Sequence, residues 1–394
     1  MPSLAIFVHD LSATGVVRNA LAIAHHMQDR GGWKVRLLLC RDDGDLAGMA
    51  EGLEREVLGG AGKRSRSSVV ARAIPRLRAA LKRDPPDILL SAGNHGHLAC
   101  WLATRGMDRP LRIYRFSNDL AHRAGRPGAL PGAFRRRLVA RTVIRDAARV
   151  VLVSPGLADE PVLARALDSG KACTIRNGAP LDAIAAQKDR PCGHPWLAQT
   201  VPVVIGVGRL VEQKNFLTLL RAVAQARRTR ALRLILLGGG SAANRAELQR
   251  WSESLGLAHA VDFLGRVANP FPFIARAAVL AVPSLWEGSS NVLLEAMACG
   301  TPVVAARTAG NAAEVLDGGR YGLLVDPLDV AGMAEAILRQ CDPATRILPG
   351  ARAAQFDINR TLDAYARVFE QALGRAVSPP RPSRRSASPQ SRYR

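Results

Sequence analysis

The sequence predicts an α/β protein made of two doubly wound domains, each a parallel β-sheet with helices on both faces. Short apolar runs alternate with helical segments along the chain, which is the pattern of repeated βαβ units. Several runs, including Leu4–Val8, are apolar throughout, as expected for parallel strands buried on both faces. The length of 394 residues exceeds the roughly 100–200 residues of one domain, so we expect two.

The strand candidates are short and rich in aliphatic residues, and they are Leu4–Val8, Val35–Cys40, Asp87–Ser91, Leu111–Phe116, Val150–Ser154, Pro202–Val207, Leu232–Leu237, Val279–Pro283 and Pro302–Ala305. The main helix candidates are Gly15–Gln28, Val69–Arg83, Ala133–Ala147, Asn215–Arg228, Ala242–Leu255, Val330–Arg339 and Asn359–Gly374. The alternation restarts at Pro202, after a stretch without periodicity between Lys188 and Thr200. We therefore expect a first domain over residues 1–190 and a second over residues 195–374, with a ligand site in the cleft between them.

Composition places the chain among ordinary globular proteins of a reducing compartment. Residues 375–394 are rich in Ser, Pro and Arg and contain no acidic residue, which is typical of a disordered tail. The six cysteines are scattered without a C-x-x-C pair, so we expect reduced thiols. No signal peptide and no apolar stretch of about 20 residues is visible, and we expect a cytoplasmic protein.

The net charge of +22 is concentrated in the first half of the chain. Residues 61–149 hold 20 Lys or Arg against 5 Asp or Glu, whereas residues 201–370 hold 18 against 15. An anionic partner of the first half is one interpretation, and nucleic acid, an anionic membrane surface or a phosphorylated acceptor all fit. The alternative is a solvated, arginine-rich surface.

One segment places polar groups at the start of a helix. A buried strand candidate ends at Pro283, small residues form a turn, and a helix then runs to Cys299. Residues 289–291 therefore lie at a helix N-terminus, where unpaired N–H groups attract anions. Glu287 and Glu295 flank this turn and suit hydroxyl groups of a ligand. The alternative is an ordinary helix cap followed by a solvent-facing Glu295.

A second segment places two cations after a buried strand. The strand ends at Gly206-Val207-Gly208, and Arg209 and Lys214 follow in a loop. Guanidinium and ammonium groups suit a diphosphate, and glycine allows the backbone to approach a ligand closely. The segment matches neither the G-x-G-x-x-G fingerprint nor the P-loop. The alternative is a pair of ordinary surface cations.

The two segments together resemble glycosyltransferase family 4, the retaining transferases of the GT-B architecture, in which two Rossmann-like domains face each other across a cleft. The resemblance is carried by the Glu287-x7-Glu295 spacing, the Ala296-x-x-x-Gly300-x-Pro-Val-Val run, and the Gly-x-Gly-Arg209-Leu segment about 80 residues earlier. The segment His194-Pro195-Trp196-Leu197 is similar to a polysaccharide-assembly subgroup. The resemblance is strong over roughly residues 195–375 and loose over the first half.

The resemblance implies a role for each matching residue. The catalytic set is Arg209 and Lys214, which hold the donor diphosphate, and Glu287, which contacts the donor sugar. The donor-binding set is Gly15 near the phosphate, Arg266 and Val267 along the base, Ser289, Ser290 and Asn291 beside the sugar, and Glu295 on the ribose.

The sequence departs from the family pattern in three places. Thr14-Gly15 stands where the family has a glycine pair, and Ser289-Ser290 replaces Phe-Gly. A family histidine is missing from the segment Arg115–Asp119, where Asn118 takes its place. His95 is the other acceptor-side candidate, although His95 and His97 also fit a surface or N-cap pair.

The resemblance implies transfer of a sugar from a nucleotide-diphosphate sugar, with a UDP-sugar favoured, to a saccharide or lipid-linked acceptor in cell-surface polysaccharide biosynthesis. Retention is expected by front-face displacement, with the donor phosphate taking the acceptor proton. No cofactor or metal is expected, and the D-x-D triplet Asp43-Gly44-Asp45 is interpreted as a polar loop. The alternatives are a sugar-nucleotide epimerase of the same architecture, a basic nucleic-acid-binding protein and an inactive scaffold.

Two helix candidates of the basic half combine apolar and arginine positions. The first has Ile74, Leu77 and Leu81 beside Arg72, Arg76 and Arg83, and the second has Phe134 and Leu138 beside Arg137, Arg141 and Arg145. A basic amphipathic face can rest on an anionic leaflet. Peripheral attachment to the inner face of the membrane is therefore a hypothesis for this half.

Overall fold

A computed structural model describes residues 1–59, 66–120 and 130–374. The chain divides into two compact units, each built around its own parallel sheet. The first unit comprises Met1–Asn177 and the segment that begins at Asn359, and the second comprises Gly178–Ile358. The predicted α/β architecture with two parallel sheets is confirmed, while the proposed tail at 375–394 lies outside the described residues.

The strands of the first unit are β1 (Ser3–Val8), β2 (Lys34–Leu39), β3 (Glu54–Val57), β4 (Ile88–Ser91), β5 (Leu111–Phe116), β6 (Arg149–Leu152) and β7 (Ala172–Thr174). Its sheet has the order β3-β2-β1-β4-β5-β6-β7 and every pairing in it is parallel. The helices of this part of the chain are α1 (Gly15–Asp29), α2 (Arg66–Arg83), α3 (His97–Thr104), α4 (Leu130–Asp146) and α5 (Pro161–Asp168). The strand order reverses between β1 and β4.

The strands of the second unit are β8 (Val203–Val207), β9 (Arg233–Leu237), β10 (Val261–Gly265), β11 (Val279–Val282), β12 (Val303–Ala306) and β13 (Leu323–Val325), again all parallel. The order is β10-β9-β8-β11-β12-β13, with the reversal between β8 and β11. Its helices are α6 (Leu181–Gln187), α7 (Phe216–Ala226), α8 (Ala242–Ser254), α9 (Phe271–Arg276), α10 (Asn291–Cys299), α11 (Ala312–Val315) and α12 (Val330–Cys341).

The final helix, α13 (Ile358–Ala372), packs on the first sheet's unit. Buried Tyr365 accepts a hydrogen bond from Arg115 Nε at 2.8 Å, and the rings of Phe369 and Trp33 lie 6.2 Å apart. The sequence-based division instead assigned this helix to the second domain and placed the boundary near residues 190–195. The amphipathic pattern of a helix shows that it packs, but it does not show on which core.

Helix α2 does not offer the amphipathic surface that its pattern suggested. Leu77 and Leu81 are fully buried in the first core, and Ile74 packs against the same cluster. Arg76 donates to the Leu58 carbonyl at 3.2 Å, and Arg83 pairs with Glu56 at 2.7 Å. The apolar stripe of α2 is therefore core, and the membrane hypothesis for this helix is wrong. No helix among the described residues is long and apolar enough to cross a membrane.

Candidate active site

The reversal of strand order in the second sheet brings the two sequence motifs together. In open α/β sheets, ligands bind at the carboxyl ends of the strands where the order reverses. The loop after β8 carries Arg209 and Lys214, and the loop after β11 carries Glu287. Because β8 and β11 are hydrogen-bonded neighbours, the two loops lie side by side.

An ion pair between Lys214 and Glu287 lies where the two loops meet. Lys214 Nζ donates to Glu287 Oε1 at 2.7 Å, and Ser284 Oγ donates to the same oxygen at 2.6 Å. The Lys214 and Glu287 side chains are only 16% and 9% exposed. Both contacts use the same carboxylate oxygen, Oε1. Lys214 is thus partly buried beside its partner, whereas Arg209 is exposed.

Backbone and amide contacts hold the two loops in register. Asn215 adopts a left-handed conformation with φ of 51° and donates from Nδ2 to the Pro283 carbonyl at 3.2 Å. Gln213 Nε2 donates to the Trp286 carbonyl at 2.8 Å, and Leu285 N donates to the Gln213 carbonyl at 2.9 Å. These contacts flank Lys214 and fix its position relative to Glu287.

Glycine is required where the loops after β8 and β9 meet. Gly238 has φ of 139°, and a Cβ there would lie 1.9 Å from the Gly208 carbonyl oxygen. A Cβ on Gly208 itself would come within 3.0 Å of Lys214 Cε. The bare backbone at these two positions therefore leaves room for the Lys214 side chain.

The turn before α10 is braced by a residue that the sequence analysis missed. Asn311 Oδ1 accepts the Ser290 N–H at 3.0 Å, so this amide is already engaged and is not open to a ligand. Within the described ranges, the buried Ser289 Oγ, Ser290 Oγ and Asn311 Nδ2 have no hydrogen-bond partner. Gly310 has φ of 64°, and a Cβ added at this glycine would lie 3.1 Å from Ser289 N. The only sequence signal for Asn311 is its place in the loop after β12, the strand that contains the Val303-Val304 part of the motif.

Glu295 is buried in the first turns of α10 and does not face solvent. The alternative interpretation of a solvent-facing glutamate is therefore wrong. One turn later, burial raises the pKa of the Cys299 thiol to about 12, with the Glu295 charge as a further cause. The thiol is accordingly protonated and inert at neutral pH.

Arg266 and Val267 follow β10 at the end of the sheet. An ideal Cβ on Gly239 would lie 2.4 Å from Arg266 Nε, so the arginine crosses the glycine-rich loop after β9. Val267 lines a cavity of about 360 Å³ together with Trp196 and Asp262. His194, Pro195 and Trp196, from the segment that resembles the polysaccharide-assembly subgroup, therefore line the same cavity as Val267.

The first unit brings its candidate residues to the carboxyl edge of its own sheet. Gly15 begins α1, and Thr14 Oγ1 caps this helix by accepting from Val17 N at 3.3 Å. Asn118 follows β5, and its side chain accepts from Asp119 N at 3.0 Å. Asn94 Nδ2 donates to the Asn118 carbonyl at 3.0 Å, which links the loops after β4 and β5.

The two histidines of the His-Gly-His segment differ in environment. His95 is exposed in the turn before α3, as the surface interpretation expected for it. The N-cap of α3 is Gly96, so the N-cap interpretation is wrong. His97 is buried between the rings of Tyr114 and Phe116 and contacts Ser91 Oγ at 2.8 Å. Burial lowers the pKa of His97 to about 3, so this imidazole is a neutral core group.

The D-x-D triplet has a structural use. The Asp43 carbonyl accepts the Leu11 N–H at 2.9 Å, and the Asp43 carboxylate pairs with Arg41. Asp42 pairs with Arg55 at 3.1 Å. Over residues 1–59, 66–120 and 130–374, no group of three or more His, Cys, Asp or Glu side chains is placed to hold a metal ion.

Two protein-family models match the chain in the order of its two sheets. A "Glycosyl transferase 4-like domain" model matches residues 14–178, and a "Glycosyl transferases group 1" model matches residues 201–342. The second match contains the Lys214–Glu287 pair and Glu295.

Curated relatives are glycosyltransferases of bacteria. The chain is 37% identical over 219 residues to D-inositol 3-phosphate glycosyltransferase of Corynebacterium jeikeium, covering 50% of this chain and 52% of the relative. It is 41% identical over 136 residues to the lipopolysaccharide core biosynthesis glycosyltransferase LpsE of Rhizobium meliloti, covering 34% of this chain and 38% of the relative. The chain thus spans about half the length, or less, of these curated relatives.

Solved structures of the same fold cover nearly the whole chain. Sucrose-phosphate synthase from Thermosynechococcus elongatus has a TM-score of 0.79 at 21% identity, over 95% of this chain and 100% of that structure. Anabaena HepE in complex with UDP and glucose has a TM-score of 0.75 at 22% identity, over 94% and 100%. The family models and the shared fold show that the chain belongs to the glycosyltransferases of family 4, with the GT-B fold.

Proposed function

We propose that the chain transfers a sugar, with retention, from a nucleotide-diphosphate sugar to a saccharide or lipid-linked acceptor in cell-surface polysaccharide biosynthesis, with a UDP-sugar as the favoured donor. The Lys214–Glu287 pair at the reversal point of the second sheet carries the proposal. The solved HepE complexes with UDP and UDP-glucose and the relatives of lipopolysaccharide core synthesis support the donor and acceptor classes.

The donor diphosphate is assigned to Arg209 and Lys214. Negative charge grows on the leaving phosphate, so preplaced cations stabilise the transition state more than the ground state. Arg209 is exposed after β8 and offers a planar fork of N–H donors. The Lys214 ammonium has three N–H donors and uses one on Glu287, so it can bind a phosphate oxygen without leaving its partner.

The donor sugar and ribose are assigned to the two glutamates. Glu287 Oε2 accepts sugar hydroxyl groups while Oε1 stays on Lys214 and Ser284. Glu295 holds the ribose, with Ser289 and Asn291 beside the sugar and Arg266 and Val267 along the base. Because Ser290 N–H is engaged by Asn311, this residue contributes to the shape of the turn.

The acceptor is assigned to the first unit, with His95 and Asn118 as contacts at the carboxyl edge of its sheet. Retention is assigned to front-face displacement, in which the acceptor oxygen attacks from the side that the diphosphate leaves. Two fixed cations at the diphosphate supply the charge that a metal ion supplies elsewhere, so no cofactor is included in the proposal.

The experiment that tests the function is incubation of the purified protein with UDP-, GDP- and ADP-sugars. Each donor is paired with D-inositol 3-phosphate or a lipopolysaccharide core oligosaccharide as the acceptor probe. We expect release of nucleoside diphosphate and a new glycoside with at least one UDP-sugar. Turnover of a sugar nucleotide into its epimer without transfer would instead establish the epimerase alternative.

We also propose that the protein is cytoplasmic and that α4 attaches it peripherally to the anionic inner face of the membrane. Phe134, Leu138, Arg141 and Arg145 recur at intervals of four, three and four residues, so they share one face of the helix. Phe134 is 67% and Leu138 is 52% exposed, and both arginines are exposed. Arg137 differs, because it pairs with Glu160 at 2.7 Å.

Liposome co-sedimentation tests this attachment. We expect binding to vesicles of phosphatidylcholine with phosphatidylglycerol at low salt and release at about 1 M salt, where the Debye length falls to about 3 Å. Exchanging both Phe134 and Leu138 for serine should weaken binding, since their apolar area is lost. The matched control exchanges exposed Arg228 and Arg250 of the second unit for glutamine and should bind like the wild type.

Two results would contradict the membrane proposal. Equal binding to neutral and anionic vesicles, or binding to neither, would identify the charge of α4 as solvated surface. Strong selective binding to RNA would favour the nucleic-acid alternative.

A further inference from the structure

The segment at residues 194–197 has no role in the proposed transfer, although it carries part of the sequence resemblance. It lies between α6 and β8, and His194, Pro195 and Trp196 line the cavity of about 360 Å³. Further walls come from β10, from the loop after it and from α9, so the whole cavity lies within the second unit. Its volume is within the range of roughly 300–1,000 Å³ that is typical of small-molecule sites.

The walls of this cavity are mainly apolar, and two of them are aromatic. The side chains of Trp196, Leu264, Val267 and Phe273 pack against the second core but remain partly exposed. Strand β10 is an edge strand, and Asp262 and Leu264 lie on the same face of it. A planar apolar molecule would therefore remove exposed apolar surface from water by entering the cavity.

A carboxylate is held in the wall by a buried histidine. His194 Nδ1 accepts from Trp196 N at 3.2 Å, so the proton of the neutral ring lies on Nε2. This Nε2 lies 3.2 Å from Asp262 Oδ2. The His194 side chain is only 5% exposed, whereas that of Asp262 is 42% exposed. The carboxylate is thus fixed in position and still accessible from the cavity.

The charge of the cavity is opposite to that of the chain. Among the described residues that line it, Asp262 is an acid and none is a lysine or an arginine, although the chain carries a net charge of +22. The Arg233 guanidinium lies 4.9 Å from the centre of the Trp196 ring, but Arg233 is not a lining residue. One carboxylate beside aromatic and aliphatic walls suits a cation with an apolar body.

We infer that this cavity is a second ligand site, separate from the Lys214–Glu287 pair, for a small organic ammonium ion with a planar apolar body. The ammonium group donates to Asp262, and the body lies against Leu264 and Phe273. The inference goes beyond the proposed sugar transfer and does not depend on it. Val267 is also assigned to the donor base, so the base is the competing occupant that the experiment must exclude.

The test is calorimetric binding of three probes that share an indole ring. Tryptamine carries an ammonium group, tryptophol a hydroxyl group and indole-3-acetate a carboxylate. Because a hydrogen bond between charged groups is stronger than one to a neutral group, tryptamine should bind at least about tenfold more tightly than tryptophol. Indole-3-acetate should bind most weakly, since its charge repels Asp262.

Three variants locate the binding. Asp262→Asn keeps an oxygen that can accept from His194 but loses the charge, so tryptamine and tryptophol should then bind within about threefold of each other. Glu253→Gln removes an exposed carboxylate of α8 and is the matched control, which should keep the preference for tryptamine. Leu264→Trp fills the cavity and should weaken binding of all three probes. The melting temperature monitors the fold of each variant.

The outcomes decide between the occupants. A preference for tryptamine that Asp262→Asn removes, that Glu253→Gln keeps and that saturating UDP leaves unchanged supports the inference. Equal binding of the three probes, binding of none, or a preference that persists in Asp262→Asn overturns it.

The donor base is identified as the occupant by a different result. Displacement of tryptamine by UDP, together with weaker UDP binding by Asp262→Asn, would assign the cavity to the base and overturn the inference. Failure of the wild type to bind UDP would contradict the proposed donor site, while a preference for tryptamine in the same protein would still support this second site.

Discussion

Exchange of Lys214 for alanine is expected to lower sugar transfer by about 10²–10³, the usual cost of losing one preorganised donor to a developing oxyanion. The effect should appear in kcat, because the phosphate carries more negative charge in the transition state than in the bound donor. The measurement is steady-state release of nucleoside diphosphate. Lys188→Ala, a lysine of the same unit outside the site, is the control and should keep wild-type turnover.

The Lys214–Glu287 contact makes a second result measurable. Since the two side chains form one ion pair at 2.7 Å, their effects should not add. The double variant of Lys214 and Glu287, both exchanged for alanine, should lose little more activity than the worse single variant. Fully additive losses would show that the two residues act separately and would contradict the arrangement described here.

Exchange of Gly238 for alanine is expected to produce the largest loss of stability. The new Cβ would lie 1.9 Å from a backbone oxygen, that of Gly208, which cannot move aside like the end of a side chain. With φ of 139° as well, we expect a loss of more than about 3 kcal/mol in the free energy of unfolding. Turnover should fall too, because displacement of the β8 loop moves Lys214.

Gly256→Ala is the matched control for this prediction. Gly256 also has a positive φ, of 69°, but a Cβ there would meet nothing within 4 Å. We expect it to lose only about 1 kcal/mol, the cost of left-handed backbone in a residue with a Cβ. Urea unfolding of both variants measures the difference. Equal losses would mean that backbone strain, and not the contact between the loops, requires glycine at position 238.

The interior strands of both sheets were predictable from sequence, and the edge strands were not. The strand candidates correspond to the central members of each sheet, where burial on both faces produces continuous apolar runs. The strands absent from the candidates are β3, β7, β10 and β13, which are the four sheet edges. Edge strands carry polar residues, as in the Glu-Arg-Glu-Val sequence of β3, or are only three residues long.

Sequence patterns also leave open what covers an amphipathic helix. Helices α2 and α4 both combine arginines with spaced apolar residues, yet Leu77 is core and Leu138 is exposed. Only the packing of the neighbouring elements separates the two cases. The assignment of α13 to the wrong domain has the same cause, because Tyr365 and Phe369 fit either core by their spacing alone.

Site residues that belong to a sequence motif were predictable. Contacts between residues that are distant in sequence were not. Lys214 and Glu287 were predicted as parts of two segments, but their ion pair was not. Ser284 and Asn311, which brace the turn that carries Glu287 and Ser290, have no spacing that would identify them.

The measurement that tests the central claim most directly is calorimetric binding of UDP to the purified protein in excess EDTA. Fixed cations of the second unit are proposed to hold the diphosphate, so UDP should bind without a divalent metal. Arg209→Ala and Lys214→Ala should each weaken binding by at least about tenfold, since a hydrogen bond to a charged group is worth about 1.5–3 kcal/mol. Binding that is absent in EDTA and restored by Mn²⁺ would contradict the account and would make Asp43 and Asp45 candidate metal ligands.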